Sequence, residues 1–195
     1  MSKISKYIVI SFIVLLGGCG LFQTRNSENP VQPRSNFIPP TSPDLVLVNL
    51  QSAISDKDLN NYMQCFVDST FSNRRYNYIP DVLSQAQYPI FRNWQLYNER
   101  IYFNNLLLLT TSQSTSLLFF ANSTLTEAVD TAVFDADYLL RVDHQKPNVA
   151  KTITGKLRLV MSVDSRNLWA IHSWMDIKSN TSDTTWSVLR ANFSY

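Results

Sequence analysis

Two carboxylates and one imidazole stand at spacings that permit acid–base chemistry. Asp135 and Asp137 lie two residues apart in an alternating stretch that predicts a strand, so both face the same side of a sheet. If that side lines an apolar pocket, burial would raise the pKa of a carboxyl group and make it a general base. His172 precedes Asp176 by four residues in another predicted strand, which again places an imidazole and a carboxylate on one face.

Each of these groups also has a structural interpretation. The face opposite the two aspartates carries Phe134, Tyr138 and Leu140 and is at least as good a core face. We therefore expect the aspartates on the solvent side of the sheet. We likewise expect His172 to be half-buried on the sheet surface. No residue is assigned a catalytic role, and Asp137 and His172 are retained as pocket candidates.

Several aromatic residues before position 100 offer apolar rings with polar edges. Such side chains suit a pocket for an aromatic or lipidic ligand, although core packing is their commoner role. We retain three of them as pocket candidates: Tyr78, Trp94 and Tyr97.

Composition excludes several other chemistries. Cys65 stands among apolar neighbours, which predicts a buried structural thiol. Beyond position 20 the sequence has one glycine, Gly155, so it contains neither a Gly-rich phosphate loop nor a dinucleotide fingerprint. The two histidines, His144 and His172, are not at metal-motif spacing. We expect neither a metal nor a cofactor.

The N-terminus has the pattern of an exported protein. Lys3 and Lys6 precede an apolar run at 7–16, about half the length that a membrane-spanning helix needs. The following Leu16-Gly17-Gly18-Cys19 resembles a lipobox, where bacterial lipoprotein signal peptidase cuts before a diacylated cysteine. The alternative is an ordinary secretory signal with a cysteine near its cleavage site.

The resemblance implies a signal peptide at 1–18 and a chain held to a membrane by acyl groups on Cys19. The cleaved chain would have 15 basic and 15 acidic residues, which argues against nucleic acid as a partner. Gly20 after the cysteine is the pattern associated with sorting to the outer membrane, if the organism is Gram-negative. We therefore expect a location in the bacterial cell envelope.

Residues 19–42 are rich in proline and polar side chains and predict a flexible tether before a domain at 43–195. Ser42-Pro43-Asp44 predicts a helix start, and Asp56-Lys-Asp-Leu59 predicts a break before a second short helix. Residues 68–73 and 76–79 predict a short extended pair around a turn. A further helical region is predicted after Pro80, most strongly from Pro89 onward. Strands are then predicted at 106–110, 116–121, 128–142, 153–163 and 168–177, joined by hairpins. This order indicates an α+β fold, with N-terminal helices packed on a strongly curved antiparallel sheet.

The sequence resembles nuclear-transport-factor-2-like domains in its opening segments, 42–50, 56–59 and 62–68, and in the later Leu168-Trp-Ala-Ile171 and Trp174-Met-Asp176. The closing Thr185-Trp186-Ser-Val-Leu-Arg190 resembles an ending seen in some lipid-anchored members. This superfamily, with the cystatin-like cone, includes ketosteroid isomerases and polyketide cyclases. The resemblance implies a bent sheet around three helices and a pocket at the wide end. Some members are enzymes with an acid–base pair there, and many others bind, dimerise or scaffold.

Three functions are consistent with these patterns. The first is a non-enzymatic envelope lipoprotein that binds a small apolar ligand or a partner. The second is an isomerase, cyclase or dehydratase that uses Asp137 or His172. The third is a homodimeric structural scaffold that pairs its sheets.

Overall fold

The first two helices begin at the residues that predict them. The computed structural model describes residues 36–195. Helix α1 (Pro43–Ser55) has Pro43 in its first turn, where the missing N–H costs nothing. Helix α2 (Leu59–Gln64) follows Asp58, whose carboxylate accepts hydrogen bonds from two backbone N–H groups of its first turn. These capping interactions fix the sharp turn between the helices.

The helical region predicted after Pro80 is divided into three helices in the structure. Strand β1 (Asn77–Ile79) and helix α3 (Val82–Gln87) come first, and Asp81 caps α3. A 3-10 helix (Pro89–Asn93) then ends at Trp94, and helix α4 (Leu96–Leu108) follows.

The strand predicted at 106–110 is wrong, because residues 106–108 form the last turn of α4. Tyr102, Phe103 and Leu106 are buried at helical spacing. A short apolar run does not by itself distinguish a buried helix from a strand.

Four long strands form the rest of the sheet: β2 (Ser116–Glu127), β3 (Thr131–Val142), β4 (Thr152–Val163) and β5 (Trp169–Ile177). The strand order is β1-β5-β4-β3-β2, with every neighbouring pair antiparallel except β1 and β5. The sequence predicted that 76–79 would pair with 68–73. This pairing is wrong, because β1 lies parallel to β5.

The α+β prediction, with helices packed on a curved sheet, is confirmed. The inner face of β3 carries Phe134, Ala136, Tyr138 and Leu140, each at most 5 % exposed, as their alternation predicts. A last helix, α5 (Trp186–Asn192), is almost wholly buried. Its residues lie inside the cone formed by the sheet and the other helices.

The residues just before α1 contact the domain. The side chain of Asn49 exchanges two hydrogen bonds with the backbone of Ile38, and the Trp169 N–H donates to Pro40 O at 2.8 Å. The predicted signal peptide, Cys19 and the tether up to residue 35 lie outside the described residues. Within 36–195, no helix is both long enough and apolar enough to cross a membrane.

Candidate functional site

A buried ion pair lies at the centre of the cone. Glu99 on α4 and Arg190 on α5 have fully buried side chains, and the Arg190 Nη2–Glu99 Oε1 distance is 2.7 Å. Arg190 Nε also donates to both carboxylate oxygens, at 2.9 and 3.1 Å. Burial alone would lower the pKa of Arg190, but the Glu99 carboxylate outweighs it and keeps the guanidinium charged.

Three aromatic side chains complete the coordination of the Glu99 carboxylate. The Tyr62 hydroxyl donates to Oε1 at 2.6 Å. The Tyr76 hydroxyl and the Trp94 indole donate to Oε2 at 3.1 and 2.9 Å. Burial raises the pKa of both tyrosines, so they remain protonated donors. Donors of the protein itself therefore use the hydrogen-bonding capacity of both Glu99 carboxylate oxygens.

The Arg190 guanidinium lies within an aromatic cage. Its Cζ is 4.2 Å from the centre of the Trp174 ring and 4.3 Å from that of Tyr78. Trp186 and Tyr102 lie at 5.1 and 5.5 Å. Cation–π attraction of this kind is strongest where water is excluded. Arg190 Nη1 and Trp174 Nε1 have no hydrogen-bond partner among the described residues.

A second buried carboxylate, Asp176, is held by α5 and the sheet. Its Oδ1 accepts from the Tyr138 hydroxyl at 2.8 Å, and its Oδ2 accepts from the Ser187 N–H at 2.6 Å and from the Ser187 hydroxyl. Burial raises the pKa of Asp176 above its ordinary value, while these donors oppose the shift. The Tyr78 hydroxyl is also hydrogen-bonded to the Ser187 hydroxyl, at 2.7 Å. Asp176 therefore positions the N-terminal turn of α5.

The interior thus contains acidic and basic side chains of the kind that active sites use, but other side chains of the protein are packed around them. Glu99, Arg190 and Trp174 have no exposed surface, and Asp176 is 2 % exposed. Side chains of α5 are part of the buried core of the domain. Two open clefts lie at the surface of the domain.

One cleft, of about 600 Å³, lies between α3 and the end of β5. We call it the α3 cleft. Its apolar lining is Ile79, Pro80, Val82, Leu83, Met175 and Ile177. Val82 and Leu83 are 80 % and 62 % exposed, which is unusual for neighbouring aliphatic side chains.

A second cleft, of about 650 Å³, lies between α2 and the β4–β5 hairpin and is more polar. We call it the α2 cleft. Its floor includes Met63, Phe66 and Leu168. Asp164 at its rim is bound by Arg166 at 2.6 Å. That pairing neutralises most of the charge at the hairpin.

The aromatic pocket candidates have separate environments. Tyr78 and Trp94 are 5 % and 6 % exposed and contact each other inside the cone, with ring centres 5.6 Å apart. Tyr97 is 70 % exposed and lines neither cleft. The 3-10 helix ends at Trp94 and α4 begins at Leu96, so Trp94 and Tyr97 belong to different helical elements and have different surroundings.

The polar pocket candidates lie away from the interior. Asp137 is on the outer face of the sheet, where it accepts a hydrogen bond from Asn122 at 2.7 Å and lies 3.5 Å from the Lys156 ammonium. His172 is half-buried and occupies an irregularity of β5, where one extra residue interrupts the pairing with β4. Burial lowers the pKa of His172, and Arg74 lowers it further.

Glu99, Arg190 and the partners of Asp176 were not among the residues predicted from the sequence. A charged residue in each of two helices carries no local signal of burial, because most such residues are solvated. One signal was present, since Glu99 lies at helical spacing from Leu96, Tyr102 and Phe103, on an otherwise apolar helix face. No group of three or more potential metal-ligating side chains occurs among residues 36–195.

The topology of this chain matches that of known structures. A putative dehydratase of the NTF2-like family from Streptomyces avermitilis is similar, with a TM-score of 0.54 and 8 % sequence identity. The match covers 71 % of this chain and 94 % of that chain. The chain has the nuclear-transport-factor-2-like fold.

Other structures with this fold are similar at lower scores. An NTF2-like superfamily protein from Salmonella enterica has a TM-score of 0.49 at 13 % identity, covering 70 % of this chain and 89 % of that chain. An NTF2-like protein from Cytophaga hutchinsonii has 0.48 at 8 % identity, covering 69 % and 93 %. No family model and no curated protein matches the sequence. At these identities, the similarity shows the fold alone.

Proposed function

We propose that this protein is a lipid-anchored protein of the bacterial cell envelope whose domain binds a small apolar ligand without converting it. The observation that supports binding over catalysis is the closed interior. Glu99 and Arg190 are bound by side chains of the protein itself and line neither cleft. Asp176 lies against the α3 cleft, but both of its carboxylate oxygens accept hydrogen bonds from Tyr138 and Ser187. A general acid or base must instead face a space that a substrate can enter.

The α3 cleft is the binding site in this proposal. Its exposed aliphatic side chains would lose contact with water when an apolar ligand enters, and burying one such side chain contributes about 1.5–3 kcal/mol. The side chains of Val82, Leu83 and Ile177 supply this surface. Lys178 is held at the rim by its hydrogen bond to Asp183 O. An uncharged, mainly apolar ligand fits this lining best.

The anchor in this proposal is a diacylated Cys19, which precedes the predicted tether. Residues 38 and 40 are bonded to the domain, so the flexible part of the tether would be 19–35, which would span roughly 20–25 Å and keep the domain near the membrane surface. Cys19→Ser is expected to abolish acyl labelling and to release the protein from membranes. Persistent acyl labelling of this variant would refute the anchor and leave the ligand proposal untouched.

Native mass spectrometry of the full chain, purified gently from its own host, tests the ligand. We expect a mass excess that disappears on denaturation. Leu83→Asp places a charge in the cleft and is expected to remove this excess. Val129→Asp is the matched control, since Val129 is 99 % exposed in the β2–β3 turn. A clean apo mass for the unmodified chain would overturn the ligand proposal.

A second candidate function is a homodimeric scaffold. On the outer face of the sheet, Phe119 pairs with Leu139, and the two are 57 % and 37 % exposed. Leu117, 49 % exposed, extends this apolar patch. Sedimentation of the unmodified chain and of Phe119→Glu tests the scaffold, which requires a dimer that the substitution dissociates. The enzyme alternative has less support, because Asp137 is paired with Lys156 at the surface.

A further inference from the structure

The α2 cleft lies where the chain that precedes α1 meets the domain. Phe37 and Pro40 line this cleft together with Trp169, whose N–H donates to Pro40 O at 2.8 Å. The α3 cleft is lined by Met175 and Ile177, at the other end of the nine-residue strand β5 and roughly 25 Å away. The two clefts are therefore separate sites at opposite ends of one strand.

The proposed anchor would hold the α2 cleft near lipid. The chain that meets the domain at Phe37 is continuous with Cys19 through residues 19–35, which would span roughly 20–25 Å as a flexible tether. This step rests on the proposed acylation of Cys19. It brings the head groups of the surrounding phospholipids within reach of the cleft.

The lining of the α2 cleft includes an unpaired cation and an unpaired anion. Arg100, on α4, is exposed, and within 36–195 its guanidinium has neither an ion pair nor a hydrogen bond. Asp68 is also exposed and forms no ion pair in the same part of the chain. The Thr70 N–H donates to Asp68 Oδ1 at 2.8 Å, which lowers the pKa of this carboxyl group and keeps it charged. The remaining charged pair of the lining, in the β4–β5 hairpin, is neutral.

Two opposite free charges beside an apolar floor match a zwitterionic amphiphile. A guanidinium donates two parallel hydrogen bonds to a phosphate, and a carboxylate accepts from a primary ammonium group. The exposed amides of Asn60 and Gln64 add donors and acceptors at the rim. Met63 and Leu168 supply apolar surface for the first carbons of an acyl chain. The volume of about 650 Å³ is within the range of small-ligand sites.

We propose that the α2 cleft binds the head group of an ethanolamine phospholipid in the membrane that carries the anchor. Its phosphate would bind Arg100, and its ammonium would bind Asp68. A choline head group has no N–H to donate to Asp68, and a glycerol head group has no ammonium. Binding would turn one end of β5 toward the membrane and the α3 cleft toward water, where it can receive its own ligand.

The test uses the full acylated chain in phosphatidylcholine vesicles that contain a small fraction of a photoreactive phospholipid. The diazirine of this probe lies in the acyl chain next to the glycerol, and the head group is ethanolamine, choline or glycerol in parallel samples. Labelled peptides are identified by mass spectrometry and counted per molecule of vesicle-bound protein. We expect the ethanolamine probe to label the peptides that contain Met63 and Leu168 about tenfold more than the others do, since each of these lacks one charge-assisted hydrogen bond.

Substitutions in the cleft test the two charges. Arg100→Gln and Asp68→Asn are each expected to reduce labelling by the ethanolamine probe about tenfold, for the same reason. Arg92→Gln is the matched control, because Arg92 is an exposed arginine that lines neither cleft and has no side-chain partner among the described residues. It is expected to be labelled like the unmodified chain.

Three results would overturn the proposal. They are equal labelling by the three probes, labelling only outside the α2 cleft, and equal labelling of Arg100→Gln and Arg92→Gln. Flotation of the same vesicles reports the anchor separately, since these substitutions leave Cys19 unchanged. If the chain does not float, the anchor proposal fails, and hexanoyl forms of the three probes, offered in solution, test the cleft by the same criteria.

Discussion

Glu99→Gln is expected to destabilise the protein strongly, because it leaves the Arg190 charge buried without its counter-ion. The two side chains are fully buried and 2.7 Å apart. Removing one partner of such a pair costs about 3–5 kcal/mol. In a domain of this size, that loss corresponds to a melting temperature lower by about 6–20 °C.

A matched exposed pair provides the control. Arg158 Nε lies 2.8 Å from Asp135 Oδ1, a distance like that of the buried pair, but these side chains are 52 % and 44 % exposed. Asp135→Asn is expected to have a much smaller effect than Glu99→Gln, because water already screens the charges of the exposed pair. The destabilisation caused by Asp135→Asn should become smaller still in high salt, whereas the destabilisation caused by Glu99→Gln should not change.

Urea unfolding of Glu99→Gln, Arg190→Met and the double variant measures the coupling between the two groups. We expect the double variant to be less destabilised than the sum of the single ones, with a coupling of about 0.5–3 kcal/mol. Replacing both members of a buried pair removes the uncompensated charge. Additive losses, or a Glu99→Gln loss below that of Asp135→Asn, would refute this account of the interior.

Three further predictions concern other buried groups. Gly155→Ala is expected to cost about 1–3 kcal/mol in urea unfolding, because a Cβ there would lie 2.8 Å from the Tyr138 hydroxyl; an unchanged midpoint would contradict this. Burial lowers the pKa of His144, whose ring nitrogen accepts the Lys146 N–H. As the pH falls below about 6.5, His144 therefore binds a proton in the unfolded chain before it does so in the folded one. The free energy of unfolding then decreases as the pH falls. Thermal melts between pH 7.5 and 5 should show a shallower decline for His144→Gln, and equal slopes would count against this. Burial raises the pKa of the Cys65 thiol, so a thiol reagent should label it only after denaturation; labelling of the folded protein would disprove its burial.

The sequence determined the local elements and the fold class. The Ser42 side chain makes no capping hydrogen bond, but Pro43 and Asp58 act on backbone groups at most three residues away, so their effect on helix ends is readable without tertiary contacts. The alternation of β3 likewise predicted its buried face. Both signals are short-range, and both are confirmed.

Errors arose where packing outweighed local pattern. The apolar run after Leu106 has no periodicity that distinguishes a helix from a strand. Its contacts in the core decide that it is helical. His172 shares the sequence phase of Trp174 and Asp176, but the extra residue in β5 interrupts the ladder there. Sequence spacing alone does not reveal such an irregularity.

Only the tertiary structure decided that the interior is closed. Glu99 and Arg190 are 91 residues apart, and their pairing requires the curvature of the sheet and the return of α5 into the cone. A charged side chain is ordinarily solvated, so its type predicts exposure, and burial becomes favourable only when an opposite charge and donors surround it. The residue types were visible in the sequence, while their mutual positions came from the fold.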